Sequence, residues 1–496
     1  MLRPYRHGLG GDTLKQDILR RLPSVEELMS TESVARLAEE HDRSVVVGVV
    51  RSVVDSVRSE ILRADRPDEL DEAVSLESFN KRVAAALEAK FSPSLRHAVN
   101  AAGIILHTGL GRAVMPEKAI EAVNDVIKGY CTLAIDIEKG QRASRDVHFS
   151  DLLCELTGAE AATIANNNAA ATMLILNTLA KGKEVIVSRG QLVEIGGSFR
   201  MPDVMAASGA ILREVGATNK THLSDYAEAI NENTGAIMRV HMSNYRIVGF
   251  FEEPSIEDIA KVAREHNVPV IDDLGSGALV DLGKYGLESE PMVRDSIEAG
   301  VDVACFSGDK LIGGPQAGII VGKAGVIKAI KKNPLARALR VGKMEVAALE
   351  ATLRLFLDQS KLEERHPVYK MLALTVDQLQ ARAEAVAKAL KKSVSAREGE
   401  APAEPARSAE IVVVDGSSQV GSGSVPAEMM PTKLLSVRPA SISADALARK
   451  LRGYSPPIFA RIHQEAVLFD FRTIQPDEDA LVEKALRDLL ATGRGT

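Results

Sequence analysis

The sequence predicts an α/β fold, a mostly parallel sheet flanked by helices, with a helical domain before it and a small α+β domain after it. Three observations predict this. Short apolar runs rich in β-branched residues, at 161–165, 268–271, 301–306 and 317–321, read as buried strands bounded by glycines and polar turns. Those runs lead into residues that carry chemistry: the asparagines Asn166 to Asn168, the aspartates Asp272 and Asp273, and Lys310. The two ends of the chain carry different patterns, apolar at helical spacing before residue 66 and mixed strand and helix after residue 408.

At 496 residues the chain is too long for one simple domain. We expect boundaries at 1–66, 67–94, 95–360 and 361–496. A hydrophobic fraction of 45% and a charged fraction of 26% are ordinary for a globular protein with a large core. Residues 1–15 are polar and no stretch reads as a signal or a membrane span, so we expect a cytoplasmic protein with no membrane partner. Cys131, Cys154 and Cys305 show neither metal-ligand spacing nor a disulfide framework, which fits a reducing compartment and predicts no metal site. The net charge of −7 argues against nonspecific nucleic-acid binding and against DNA, yet it leaves room for a folded RNA read by shape and backbone.

In chain order, Ser24 with Glu27 three residues on has capping-box spacing and starts a helix. Residues 44–62 are apolar at Val46, Val49, Val50, Val53, Val57 and Ile61, the spacing of a packing helix. Residues 64–68 read as a linker and 75–89 as a helix leading into the main domain.

The strand at 161–165 runs into Asn166-Asn167-Asn168 and then an alanine-rich helix. Small residues at a helix start leave backbone N–H groups open to an anion, and the helix dipole favours it; asparagine is also an ordinary helix cap. Asn167, Asn168 and Ala169 are the candidate phosphate contacts. The strand at 268–271 runs into Asp272 and Asp273. The strand at 301–306 precedes Ser307-Gly308-Asp309-Lys310, a lysine in a glycine-rich turn. A lysine whose amine is partly deprotonated by confinement forms an imine readily. Pyridoxal phosphate needs such a lysine and a carboxylate that keeps its pyridinium nitrogen protonated. Lys310 and Asp273 supply both, with Ser307 beside them as a further cofactor contact. Cys305 precedes the lysine but points into the sheet, and we give it no role.

Taken together, the segments 100–112, 166–168, 188–197, 243–250, 268–277 and 305–318 resemble, in order, those of the bacterial selenocysteine synthases, the L-seryl-tRNA(Sec) selenium transferases, which are fold-type I pyridoxal-phosphate enzymes. The resemblance spans residues 1 to 395 and resumes near 418. It implies a mostly parallel seven-stranded sheet, an N-terminal domain that grips the tRNA, and a homo-oligomer of at least a dimer, a ring of dimers such as a decamer. It implies that serine esterified to its tRNA loses its hydroxyl, passes through an aminoacrylyl-tRNA and takes selenium from selenophosphate. By the same resemblance, Arg112, Arg337 and Arg340 hold the anionic selenium donor. Arg337 and Arg340 lie in the stretch 323–343, which has seven basic residues and no acid, and their spacing of three puts them on one face if that stretch is helical.

Two positions depart from the family pattern. Gly109 stands in His107-Thr108-Gly109-Leu110-Gly111-Arg112 where an asparagine is usual, and Asp146 follows Arg142-Ala143-Ser144-Arg145 where a tyrosine is frequent. The first removes a hydrogen-bonding side chain near the anion site and the second adds a negative charge there.

Beyond the basic stretch, 346–357 and 374–390 read as helices, 393–408 as a disordered Ala, Glu, Pro and Arg insertion, 410–414 and 466–471 as strands, and 476–490 as a terminal helix. The loop at 421–426 reads as flexible. A pyridoxal-phosphate lyase acting on a free amino acid or amino-sugar phosphate is the alternative, and the N-terminal helices argue against it. The stacking partner of the pyridine ring is open between Gln191 and Glu194, and the acid that assists hydroxyl loss is not identified by the sequence.

Overall fold

The computed structural model describes residues 9–64, 74–196, 199–242, 244–287, 290–398, 409–425 and 428–491. The chain divides into two compact units, Met1–His97 and Ala98–Thr496.

The first unit is helical: α1 (Leu9–Arg20), α2 (Val25–Ser30), α3 (Glu32–Glu40), α4 (Arg43–Arg63) and α5 (Leu76–Phe91). Ser24 caps α2, its Oγ accepting the Glu27 N–H at 3.1 Å. The apolar stripe of α4, Val46, Val50, Val57 and Ile61, is wholly buried, and Phe79, Val83 and Leu87 of α5 fill the same core. The helix expected to lead into the main domain therefore packs within the first unit, because its i, i+4, i+8 apolar residues face α4. Of the expected linker at 64–68, residues 65–68 lie outside the described residues.

The second unit is built on a seven-stranded sheet: β1 (Ala161–Ala165), β2 (Glu184–Ser188), β3 (Ile211–Val215), β4 (Thr234–Val240), β5 (Val270–Gly275), β6 (Val303–Ser307) and β7 (Gly318–Gly322). Their order across the sheet is β1-β7-β6-β5-β4-β2-β3, with β7 antiparallel to both its neighbours and the other pairs parallel. Both faces are covered, so strands such as β6 and β7 are buried at every residue. The carboxyl ends of β4, β5 and β6 lie side by side, with Asp273 opposite Cys305 in the β5–β6 register. That edge is the crevice where open α/β sheets bind ligands.

A second, five-stranded sheet joins Val99–Ala101, Ile458–His463, Ala466–Asp470, Met430–Pro439 and Ala409–Ser418. Val99–Ala101 pairs in parallel with Ile458–His463, a pairing across some 360 positions that no local pattern announces. Helix Val376–Glu398 continues through 393–398, the first residues of the expected insertion, and 399–408 lie outside the described residues. The loop at 421–425 is bound rather than free. Gln419 and Val420 accept the amides of Ile105 and Leu106 at 3.0 and 2.7 Å, and the Val425 amide bonds to Glu290. Pro426 lies outside the described residues.

Candidate active site

Two adjacent aspartates lie in the second half of β5, and the alternation of side chains along a strand gives them different tasks. Asp272 points to one face, where Arg239 Nε (2.8 Å) and Ser296 Oγ (2.6 Å) hold it as a buried ion pair. Asp273 points to the other. Its Oδ1 accepts from Asn168 Nδ2 at 2.8 Å and its Oδ2 from Thr172 Oγ1 at 2.8 Å, with the Gly275 amide at 3.1 Å. Burial pushes the Asp273 carboxyl above its ordinary range, against the pull of those three donors.

Lys310 is 6% exposed, three residues beyond the end of β6. Burial, and next the nearby Arg112 charge, push its ammonium below the usual lysine range. The turn that carries it is pinned from the helix Pro367–Ala373 and the residue before it. Tyr369 Oη donates to Leu311 O at 3.1 Å, and His366 Nε2 lies 2.9 Å from Ile312 O. Gly313 has φ +65°, and a Cβ there would stand 2.0 Å from His366 Cε1, so the turn requires glycine.

The helix Asn168–Leu179 begins at the end of β1, with Asn167 as its cap: Oδ1 accepts the Ala170 N–H at 2.9 Å. Its first-turn amides have no intrahelical partner and offer an anion site. β7 passes closely enough that a Cβ on Gly318 would meet Asn167 O at 2.1 Å. Ser307, at the end of β6, is buried. A buried lysine of depressed basicity, a buried carboxylate on the neighbouring strand and a helix N-terminus at the same sheet edge fit pyridoxal phosphate.

The predicted anion residues divide. Arg112, at φ 63°, forms an ion pair with Asp309 (2.6 Å), next to Lys310. Arg337 and Arg340 line a separate cavity of about 400 Å³ with Arg142, Arg145 and Lys331, and Arg112 is not among its lining residues. The helix there is Pro334–Ala338, so Arg340 lies past its end rather than on its face. The pair shares the cavity because the Leu339 carbonyl is tied to the Asn166 amide at 2.9 Å. Burial, then the charges of Arg340, Arg142 and Arg337, hold the Arg145 guanidinium below its ordinary value. Asp146 lines the same cavity and is paired with Lys331. Gly109 belongs to the short turn Thr108–Leu110 just before Arg112, close to the His107 ring.

Both ring-stacking candidates are engaged elsewhere. Gln191 accepts the Val240 amide (3.0 Å) and reaches Glu253, while Glu194 pairs with Arg200 (2.6 Å). Sequence reasoning missed Thr172, Asp309, His241 and Glu290. Thr172 follows Asn168 by four residues, the spacing that puts both on one helix face toward Asp273, and that signal was available. Asp309 stands next to Lys310 in the sequence, whereas His241 and Glu290 are brought in by turns whose paths no pattern discloses.

A family model described as L-seryl-tRNA selenium transferase matches residues 98–475, and one described as selenocysteine synthase N terminal matches 19–58. Among curated proteins, an L-seryl-tRNA(Sec) selenium transferase from Alkaliphilus metalliredigens is 47% identical over 476 residues, covering 95% of this chain and 99% of that protein. One from Geobacter sulfurreducens is 43% identical over 474 residues, 95% of this chain and 99% of that one. Among solved structures, a D-glucosaminate-6-phosphate ammonia-lyase superposes with TM-score 0.55 at 22% identity, covering 82% of this chain and 99% of that one, a likeness of fold.

Proposed function

The chain belongs to the L-seryl-tRNA selenium transferase family, and from that premise we propose how its residues divide the work of turning L-seryl-tRNA(Sec) into L-selenocysteinyl-tRNA(Sec). The enzyme is a pyridoxal-phosphate transferase of fold-type I. The observation that carries the division of labour is the arrangement of Lys310 and Asp273 on neighbouring strand ends, one with a weakened hold on its proton and the other buried among three donors.

Pyridoxal phosphate, when bound, supplies an electron sink for the pair of electrons left at Cα. Lys310 would anchor it, and its Nζ, when free, would take the Cα proton. Asp273 holds the pyridinium proton, kept in place by Asn168 and Thr172. The amides of the cap Asn167 and of first-turn Asn168 and Ala169 would receive the phosphate, with Ser307 alongside. Arg112, Arg337 and Arg340 bind selenophosphate, whose oxygens suit the arginine fork.

Within one chain Arg112 stands beside Lys310 while Arg337 and Arg340 line another cavity. That separation supports a homo-oligomer, at least a dimer and by family a ring of dimers such as a decamer, in which one subunit's cavity completes its neighbour's site. Exposed apolar side chains on the same unit, Ile120, Ile135, Ile137 and Met344, give such an assembly material to bury. The helical N-terminal unit is assigned to the tRNA. We place the enzyme in the cytoplasm, a reading supported by three cysteines without disulfides; among the described residues no helix is long and apolar enough to cross a membrane.

The test mixes holoenzyme with seryl-tRNA(Sec), seryl-tRNA(Ser) and free serine, and follows both the cofactor spectrum and selenophosphate-dependent product. A response confined to seryl-tRNA(Sec) is expected. A response to a free amino acid alone would restore the lyase reading.

A further inference from the structure

Glu290 has no part in the chemistry assigned so far, yet it is built into the same sheet edge. Its side chain is wholly hidden from solvent. Oε2 accepts the Val425 amide at 2.9 Å, and Oε1 has no hydrogen-bond partner. His241 Nε2, also without a partner, lies 3.8 Å from Oε2. His241 follows β4 directly, and its backbone N–H donates to Asp273 O at 2.9 Å. The pair of unsatisfied atoms therefore sits against the residue that holds the ring nitrogen, where Glu290 and Lys310 also feel each other's charge.

A carboxyl in this position favours its neutral form. No lysine or arginine among the described residues comes within ion-pair distance, and burial pushes the acid up to about 7, against the Val425 amide, the Ser276 hydroxyl and Lys310. The groups facing it are His241 after β4, Ser276 after β5, Lys310 after β6, and Val425 and Glu428 from the loop after Gln419. His241, held down to about 4 by burial and by the Arg239 charge, is a proton acceptor at neutral pH. The remaining acids near Lys310 have other tasks: Asp273 would hold the pyridinium, and Asp309 pairs with Arg112.

We propose that Glu290 Oε1–H is the proton donor to the hydroxyl that leaves serine Cβ, an inference that rests on the seryl-tRNA reading above. The Cα–H bond breaks and Lys310 Nζ takes the proton. The Cβ–O bond breaks with its electron pair on oxygen, the Oε1 proton joins it, and water leaves. Glu290 is then a carboxylate. When the Se–H of the incoming selenophosphate opens, selenium bonds to Cβ, its proton restores Glu290, and the Lys310 proton returns to Cα. The released water is balanced by the one that later cleaves the Se–P bond.

The experiment compares wild type with Glu290→Gln and Glu290→Asp as holoenzymes. In single turnover, Glu290→Gln should slow loss of the hydroxyl from seryl-tRNA(Sec) by about 10²- to 10⁴-fold. It should act at the wild-type rate on β-chloroalanyl-tRNA(Sec), whose chloride leaves without a proton, and Glu290→Asp should recover part of the seryl rate. Infrared difference spectra of the wild type should show a protonated carboxyl titrating near pH 7 that Glu290→Gln lacks. Equal slowing on both substrates, or no such carboxyl in the wild type, overturns the proposal. A wild type that turns over neither aminoacyl-tRNA overturns the seryl-tRNA reading and this inference with it.

Discussion

Asn168 Nδ2 donates to Asp273 Oδ1 across 2.8 Å, so the first residue of the helix proposed to receive the phosphate is bonded to the carboxylate proposed to hold the ring nitrogen. The two ends of the proposed cofactor site are thereby one hydrogen-bonded unit, with Thr172 one turn further along the same helix completing it. Rigid elements hold both partners, which is how a site keeps its geometry without the ligand.

Removing that bond leaves one Asp273 oxygen with the Gly275 amide alone. Asn168→Ala should weaken cofactor binding by about 1.5–3 kcal/mol, the worth of a bond to a charged acceptor. Titration of apoenzyme with pyridoxal phosphate measures it, and an unchanged affinity would mean that the Asn168 side chain is incidental.

Lys310→Ala should yield a folded protein without the visible absorption of lysine-bound cofactor. A surviving band would make another lysine the anchor.

The Lys310 turn depends on donors from outside it. Tyr369→Phe leaves the buried Leu311 carbonyl without its 3.1 Å partner and should cost about 1–3 kcal/mol, read as a lower unfolding midpoint. Gly313→Ala should cost more and abolish cofactor anchoring, because it must displace the His366 ring as well as strain a positive φ.

Asp146 places a carboxylate in the cavity of Arg337 and Arg340. Arg340→Ala should raise KM for selenophosphate at least tenfold. Asp146→Asn should lower it severalfold, an effect of less than about 1 kcal/mol because Lys331 already compensates the acid. A rise in KM with Asp146→Asn would show that the acid organises the basic side chains rather than opposing the donor.

Stability should fall on acidification below pH 6.5. His366 is buried with its Nε2 at Ile312 O, and burial lowers it to about 4. Its folded value is depressed, so the unfolded chain takes up the proton first and stability is lost between 6.5 and about 4. His241 acts with the same sign, and Glu290, raised from 4.5 to about 7, with the opposite one. His366→Gln should flatten the decline in unfolding midpoint between pH 6.5 and 4.5 relative to wild type; parallel curves would refute the assignment.

The sequence by itself determined the strands that carry Asp273 or lead to Asn168 and Lys310, since β-branched runs bounded by glycine admit little else. It determined the α4 stripe and the Ser24 cap for the same local reason, and the family from motifs in order. What the tertiary structure decided depends on contacts between distant segments. It separated Asp272 from Asp273, whose faces only the register assigns. It put Val99–Ala101 beside Ile458–His463, took α5 into the first unit, set Arg340 past its helix yet in the cavity of Arg337, and buried Glu290 against His241. Local propensity fixes an element, whereas burial and pairing across hundreds of residues fix which side chains meet.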